Sequence, residues 1–290
     1  MTRCPGSVLA LEQQWPGRGS RKRSCHVPRV ENILDMSGRV AIVTGAGQGV
    51  GRQIALHLSS YGGAVVVNDY YHDRAQAVVA EIEEFGGRAT AAQADVSDFT
   101  SVSTMVEKAI SAFGRVDVLV NNAGNAGADP TAVSRGPFWE SLPADWTPWL
   151  GVNLFGVLNC TRAVLPSMVQ NRTGSIITII SDAGRYGDAG LEVYAAAKAG
   201  AAGFMRSVAR TGGRYGIRAN AVAIAATRTP ATESAFDDPE RMRKTLRMYP
   251  AGRIGEPADV ANMVLFLASD ASSWVTGQTY PVNGGFTFGL

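Results

Sequence analysis

The chain has three cysteines and three histidines in 290 residues, which leaves little material for several common chemistries. Cys4, Cys25 and Cys160 are odd in number and lack metal-like spacing, so neither a disulfide framework nor a zinc site is indicated. A reducing, cytoplasmic setting fits that usage. His26, His57 and His72 each read best as an exposed or core-packed residue, so catalysis is not expected to rest on imidazole. Neither sign of charge dominates: 27 basic against 25 acidic side chains give a net charge of +2, which argues against nucleic acid as the partner. No unbroken apolar run approaches the roughly 18 residues of a membrane span, so no membrane partner is expected either. With 46% hydrophobic residues the chain has apolar mass for one large core, and small molecules become the default ligand.

The first 35 residues differ from the rest. They carry Arg3, Arg18, Arg21, Lys22, Arg23 and Arg29 with three prolines and no apolar periodicity. They read as a disordered extension, and a start of natural translation at Met36 suits the pattern better than a targeting segment, since no apolar block follows the positive start. Residues 36–290 then read as one domain.

From Met36 onward short β-rich runs alternate with longer helical patterns. The runs are 39–44, 64–69, 88–95, 116–121, 175–181, 218–223 and 279–282; the helical stretches are 50–60, 72–85, 98–113, 144–170, 194–212 and 257–269. Such alternation implies right-handed crossovers and a parallel sheet covered on both faces, an α/β doubly wound fold. No repeat interrupts it.

In such a sheet the ligand sits at the carboxyl ends of the strands. The stretch "TGAGQGVG", 44–51, lies between a strand and a helix, where glycines let backbone approach a pyrophosphate and the helix N-terminus supplies donors. The next strand ends in Asp69, eighteen residues after Gly51, the place of the acid that bonds the adenosine ribose. A carboxylate there repels a 2′-phosphate, so NAD(H) is the expected cofactor, with NADP(H) left open because Arg74 follows closely. The competing reading of Asp69 is a helix N-cap.

Further along come "ADV" (94–96), "NNAG" (121–124), Asn153 in "GVNLFG", Ser181, Tyr194 with Lys198 four residues later, and "VNGG" (282–285). In order and spacing these resemble the short-chain dehydrogenase/reductase family from about residue 38 to 285. The resemblance implies a single Rossmann-like sheet of seven strands in order 3-2-1-4-5-6-7, a homotetramer, and hydride transfer between a nicotinamide and an alcohol or ketone.

The chemistry agrees. A phenol can serve as base for an alcohol or acid for a ketone if its pKa falls from about 10 towards neutrality. Residues four apart share a helix face, and a charge about 5 Å from the phenolate at an effective dielectric of about 20 contributes roughly 3 kcal/mol, or about two pKa units. Lys198 is therefore expected to lower the Tyr194 pKa. By resemblance, Ser181 bonds the substrate oxygen, Lys198 also binds the nicotinamide ribose, and Asn153 holds a water in the proton relay. The resemblance further implies a cofactor site of Gly45, Gln48, Gly49, Val50, Gly51, Asp69, Asp95, Val96, Asn122, Ala123, Gly124 and Thr229, with Tyr194 and Lys198.

Two departures stand out. Ile224 and Ala225 replace the Pro-Gly that usually follows strand six, which puts the loop beside the nicotinamide in question. Asn283 replaces the usual aspartate of the last motif and is expected to matter little. Residues 230–250, with Phe236, Met242, Leu246, Met248 and Tyr249, suit either a lid or a surface helix. Residues 125–149, with Pro137, Phe138, Trp139, Trp146 and Trp149, suit a second wall of the substrate site, or equally core or interface. Within the family, "SDAGRYGDAGLEVYAAAK" is more similar to alicyclic hydroxyacyl-coenzyme A dehydrogenases of the 2-hydroxycyclohexanecarboxyl-coenzyme A type than to NADPH-dependent 3-ketoacyl-thioester reductases. A third reading, of another class, is a non-catalytic dinucleotide-binding regulatory subunit.

Overall fold

Strand β1 (Val40–Val43) is buried along its whole length, as are β2 (Ala64–Asp69) and β4 (Val118–Asn121). Unbroken apolar runs of this kind belong in a parallel sheet with both faces covered, where no alternate residue meets water. The computed structural model describes residues 32–124 and 136–288 and shows that sheet. Its other strands are β3 (Arg88–Gln93), β5 (Gly174–Ser181), β6 (Ile217–Ile224) and β7 (Thr279–Val282), and the order is 3-2-1-4-5-6-7 with every pair parallel. The expected fold is therefore observed.

Helices α1 (Gly49–Ser60), α2 (His72–Glu84) and α9 (Pro257–Ala268) cover one face, packing Ile54, Leu58, Val78 and Val264 against Val43 and Val67. On the other face α3 (Phe99–Phe113), α5 (Gly156–Asn171) and α7 (Glu192–Gly212) pack Met105, Val164 and Met205 against Ile42 and Leu119. Alternate β1 residues thus feed two separate cores. The strand order reverses between β1 and β4, which opens a crevice at their carboxyl ends.

The pattern over 144–170 is not one uniform helix. Helix α4 (Pro143–Leu150) runs into a π-turn, Gly151–Phe155, before α5 begins. Where α5 begins, a Cβ on Gly156 would lie 2.7 Å from the Val96 side chain, and Asn153 donates to the Trp149 carbonyl at 2.8 Å within the widened turn. One wide turn rotates the following side chains around the helix axis, and Asn153 ends fully buried. The stretch Pro143–Asn171 is also long and apolar enough to cross a bilayer, but Val157, Val164 and Met168 on it are packed in the core of the sheet's second face. Residues 230–250 yield an exposed helix α8 (Pro239–Leu246), started by Asp238, which caps the Glu240 and Arg241 N–H groups. The short helix α6 (Ala183–Tyr186), which follows β5, has no periodic signature.

Residues 1–31 of the expected extension lie outside the described residues, as do 125–135 of the aromatic wall. Within 32–35, the Ile33 carbonyl accepts from Ala271 N at 3.2 Å and Leu34 packs on the first-face core. Removing residues 1–31 keeps those contacts, and we expect that truncation to retain the full-length Tm. Removing 1–35 also strips Leu34, and a loss of about 1 kcal/mol should lower Tm by about 2–4 °C in a domain of this size. Thermal melts of the two truncations check this; equal Tm values would contradict it.

Candidate active site

The crevice is organised around Thr44, directly after β1. Its hydroxyl accepts from the Asn122 and Ala123 N–H groups, both at 3.0 Å, and reaches the Val120 carbonyl at 3.3 Å. Asn122 Nδ2 returns the tie, donating to the Thr44 and Gly45 carbonyls at 2.9 and 3.1 Å. The glycine loop and the end of β4 are thus one hydrogen-bonded unit. Gly45 and Gly49 have φ of +61° and +55°, and a Cβ on Gly51 would lie 2.3 Å from the Gly45 carbonyl oxygen. Gln48 precedes α1 without capping it through its side chain, so the helix starts with its N–H groups free of a side-chain acceptor. Val50 turns inward and joins the first-face core.

Asp69 ends β2 beneath this loop. Its Oδ2 accepts from Gly47 N and its Oδ1 from Tyr71 N, each at 3.0 Å. The cap position of α2 belongs to Tyr71, so Asp69 is not a helix cap; it braces the glycine loop against the β2–α2 turn. Arg74 lies alongside with its guanidinium 4.5 Å above the centre of the Tyr71 ring. After β3, Asp95 Oδ1 accepts from Ser97 N and Oγ, which shapes the turn, while Val96 is buried against Gly156.

Ser181, Tyr194 and Lys198 come together as their spacing implied. Ser181 ends β5, and Tyr194 and Lys198 lie one turn apart on α7. The Ser181 side chain lies close enough to the Tyr194 hydroxyl to lower its pKa, and Lys198 Nζ lies 5.6 Å from the centre of the Tyr194 ring. Lys198 is only 4% exposed and donates to the Ile179 carbonyl at 3.0 Å. A Cβ on Gly124 would sit 3.4 Å from Asn153 Oδ1 and 3.6 Å from Lys198 Nζ, so Gly124, Asn153 and Lys198 meet at one point. Trp149 packs edge-on against Tyr194, ring centres 5.6 Å apart.

The charge balance differs from the simple expectation. Burial pushes the Tyr194 phenol up from its ordinary value, and the Ser181 side chain draws it part of the way back. Burial also pushes Lys198 down, from 10.5 to about 8. Desolvation of both groups outweighs the attraction estimated from spacing alone.

The loop after β6, without Pro-Gly, is held by other contacts. Ala226 N donates to the hydroxyl of buried Tyr249 at 3.2 Å, and Thr227 pairs with Gly255. Thr229, bonded to Thr232, stands 3.3 Å from where a Cβ of Gly49 would be, beside the glycine loop. Phe138 stacks on Trp146 with ring centres 5.6 Å apart. What the sequence did not single out is Asp182, buried next to Ser181 and bonded to Arg185 and Asn283; only its place between Ser181 and Arg185 in the quoted run could have marked it.

The family described as enoyl-(acyl carrier protein) reductase matches residues 45–287. The chain is 38% identical over 254 residues to the 3-oxoacyl-[acyl-carrier-protein] reductase FabG of Thermotoga maritima, covering 87% of this chain and 99% of that protein. It is 41% identical over 252 residues to the (2S)-[(R)-hydroxy(phenyl)methyl]succinyl-CoA dehydrogenase subunit BbsD of Thauera aromatica, covering 87% and 98%. A solved structure of 7 alpha-hydroxysteroid dehydrogenase complexed with NADH and 7-oxo glycochenodeoxycholic acid superposes with a TM-score of 0.81 at 38% identity, covering 87% and 96%. The chain belongs to the short-chain dehydrogenase/reductase family and is an NAD(P)-dependent oxidoreductase acting on small molecules.

Burying Lys198 has a measurable cost. Its folded pKa lies below its unfolded one, so below pH 8 both states hold the proton and the full cost of about 3 kcal/mol applies. Between pH 8 and 10.5 the unfolded state binds more protons, so wild-type stability rises with pH and the cost is recovered. Lys198→Met is therefore expected to stabilise the fold by about 1–3 kcal/mol at pH 7, after the lost bond to Ile179 is counted, and by much less at pH 10.5. Urea unfolding at both pH values measures the difference; a pH-independent difference would contradict the burial argument.

Proposed function

We propose that the protein interconverts a secondary alcohol and its ketone using NAD(H), with Tyr194 as the group that moves the proton. The observation that carries this reading is the meeting of Ser181, Tyr194 and Lys198 at the end of β5, beside Gly124 and Asn153. The glycine loop fits a dinucleotide: a side chain on Gly51 would close the loop's tight turn, and α1 presents free N–H groups. Gly45, Gln48, Gly49, Val50 and Gly51 would hold the pyrophosphate through backbone, Asp69 the adenosine ribose, and Thr229 the far side of the loop. Asp95, Val96, Asn122, Ala123 and Gly124 would wall the adenine and central parts. The bound dinucleotide supplies the hydride acceptor or donor.

The chain's own residues handle the oxygen and its proton. Ser181 Oγ donates to the substrate oxygen and holds it against Tyr194. In oxidation the Tyr194 oxygen takes the hydroxyl proton; in reduction it returns one to the carbonyl oxygen. Lys198 contributes its positive charge beside the phenolate and a donor to the nicotinamide ribose, and Asn153 holds a water that links the site to solvent. Because Lys198 is buried with a pKa of about 8, its charge supports the phenolate below that pH.

Trp149 over Tyr194, with Phe138 and Trp146 nearby, supports a bulky apolar substrate such as an alicyclic alcohol or an acyl thioester. The likeness to FabG supports a second reading, a 3-ketoacyl-thioester reductase; in that reading the cofactor would be NADPH. The family resemblance also supports a homotetramer in the cytosol. A binding subunit without turnover would show cofactor affinity and no absorbance change across an alcohol and ketone panel.

Tyr194→Phe is expected to lower kcat by about 10²–10⁴ in both directions while cofactor Kd changes by less than about 2-fold, because only the proton-transfer hydroxyl is lost. Steady-state rates with fluorescence titration of the cofactor test it, and a fully active variant would refute the mechanism. By the same titration NADH should bind more tightly than NADPH, and Asp69→Asn should narrow that ratio by about 10-fold as one unit of charge is removed. A wild-type preference for NADPH would overturn the cofactor assignment.

A further inference from the structure

Asn283 sits at the end of β7, in a position where the family resemblance leads one to expect a carboxylate. In this chain the amide faces a carboxylate instead. Asn283 Nδ2 donates to Asp182 Oδ2 at 2.7 Å and to the Thr287 carbonyl at 2.8 Å, with Thr287 Oγ1 at 3.1 Å. Its Oδ1 accepts from Gly285 N at 3.0 Å. The amide's two hydrogens therefore face acceptors, and only a donor suits that side of residue 283.

Asp182 is 1% exposed and follows Ser181 directly. Its other oxygen accepts from Arg185 Nη1 at 2.7 Å, and the same nitrogen lies 3.3 Å from Thr287 Oγ1. Its N–H donates to the Ile224 carbonyl at 3.0 Å, and its carbonyl accepts from Arg185 and Tyr186 N–H groups. Thus the residue after Ser181 is clamped from below by β6 and from the side by the C-terminal tail. Phe286 of that tail stacks on Tyr249 with ring centres 5.3 Å apart, and Tyr249 in turn holds Ala226 in the loop after β6.

Among the described residues, the charged and titratable groups at the clamp are Arg185 from α6, the cation bonded to Asp182; Tyr186 of α6, whose N–H donates to the Asp182 carbonyl and whose ring meets Phe286; Asp188, after α6; and the Tyr249 phenol, after α8. A carboxylate at 283 would set a second negative charge against Asp182 with one arginine between them, and would offer the Thr287 carbonyl no donor.

We infer that Asn283 is a positioning residue for the active site: through its bond to Asp182 it sets the seat of Ser181 and makes the C-terminal tail part of the catalytic framework. The inference rests on the reading of Ser181 as the donor to the substrate oxygen.

The test compares wild type, Asn283→Asp and the double variant Asp182→Asn with Asn283→Asp, by kcat, KM, cofactor Kd, Tm and backbone amide exchange over residues 181–187. Asn283→Asp should lose about 10-fold in kcat at pH 8 with cofactor Kd within about 2-fold. Normalised to wild type at each pH, that loss should shrink by at least about 3-fold at pH 6, because a proton shared by the two carboxylates restores a donor. The double variant restores an amide facing a carboxylate across 182–283 but not the donor to the Thr287 carbonyl, so it should recover part of the loss at pH 8, about 3-fold, and slow the exchange that Asn283→Asp accelerates. Unchanged exchange in Asn283→Asp would overturn the clamp itself. Faster exchange with unchanged kcat would overturn the inference by removing the role given to Ser181. A loss of kcat that is equal at both pH values, follows Tm alone, or persists in full in the double variant would reduce Asn283 to a structural part and also overturn it.

Discussion

The site depends on a lysine ammonium held out of water. Lys198 is buried under α6, between β5 and the π-turn, and the cost of desolvating it is visible in a pKa drawn down to about 8. That cost persists in the folded state because surrounding elements close over it. Gly184 of α6 lies so near that a Cβ would stand 2.9 Å from Lys198 Cβ, and Gly124 leaves room for the ammonium on the other side. The Ile179 carbonyl, freed by its place near the end of β5, supplies the acceptor. Binding energy that could have gone to stability is held instead as a charge next to a phenol, as expected of groups placed for reaction rather than for packing.

Two scaffolds keep that arrangement in place. One is the Thr44–Asn122 tie, which joins the glycine loop to the end of β4 at the point where strand order reverses. The other is the Asp182 cluster, which joins the end of β5 to α6 and the C-terminal tail. Between them lie Gly124 and Ser181, the two loop ends nearest Lys198 and Tyr194. Both scaffolds use part-buried side-chain amides to bind backbone or carboxylate oxygens, where a missing donor leaves an acceptor unsatisfied at a cost. This also accounts for the loop after β6: Tyr249, not a Pro-Gly pair, determines its course through the Ala226 N–H.

Local sequence carried much of this. Continuous apolar runs specified buried parallel strands, alternation with helical periods specified crossovers, and the glycine spacing specified the dinucleotide loop. The four-residue interval between Tyr194 and Lys198 specified a shared helix face. These are properties of period and residue type, which do not require knowing what lies opposite. The expected helix over 144–170 is interrupted by the π-turn at Gly151–Phe155, next to Gly156, whose lack of a side chain makes room for Val96 of another element, a fit with no local signature. For the same reason no motif announced that Asn122 ties the glycine loop to the end of β4, or that Asn283 bonds the buried Asp182.

The direction of the pKa shifts belonged to tertiary structure entirely. Spacing on a helix counts the attraction between a phenolate and an ammonium but not the water each has lost, and in this fold that loss dominates for both. The chain's sequence by itself determined the α/β alternation and the glycine loop, and the resemblance of its motifs implied the strand order and the groups that meet at the crevice, since residue type and order along the chain can be read without tertiary contacts. Which side chains are dry, which carboxylate faces which amide, and how far Asn153 turns inward were decided only when distant segments packed, because burial and pairing are properties of the neighbours a residue acquires.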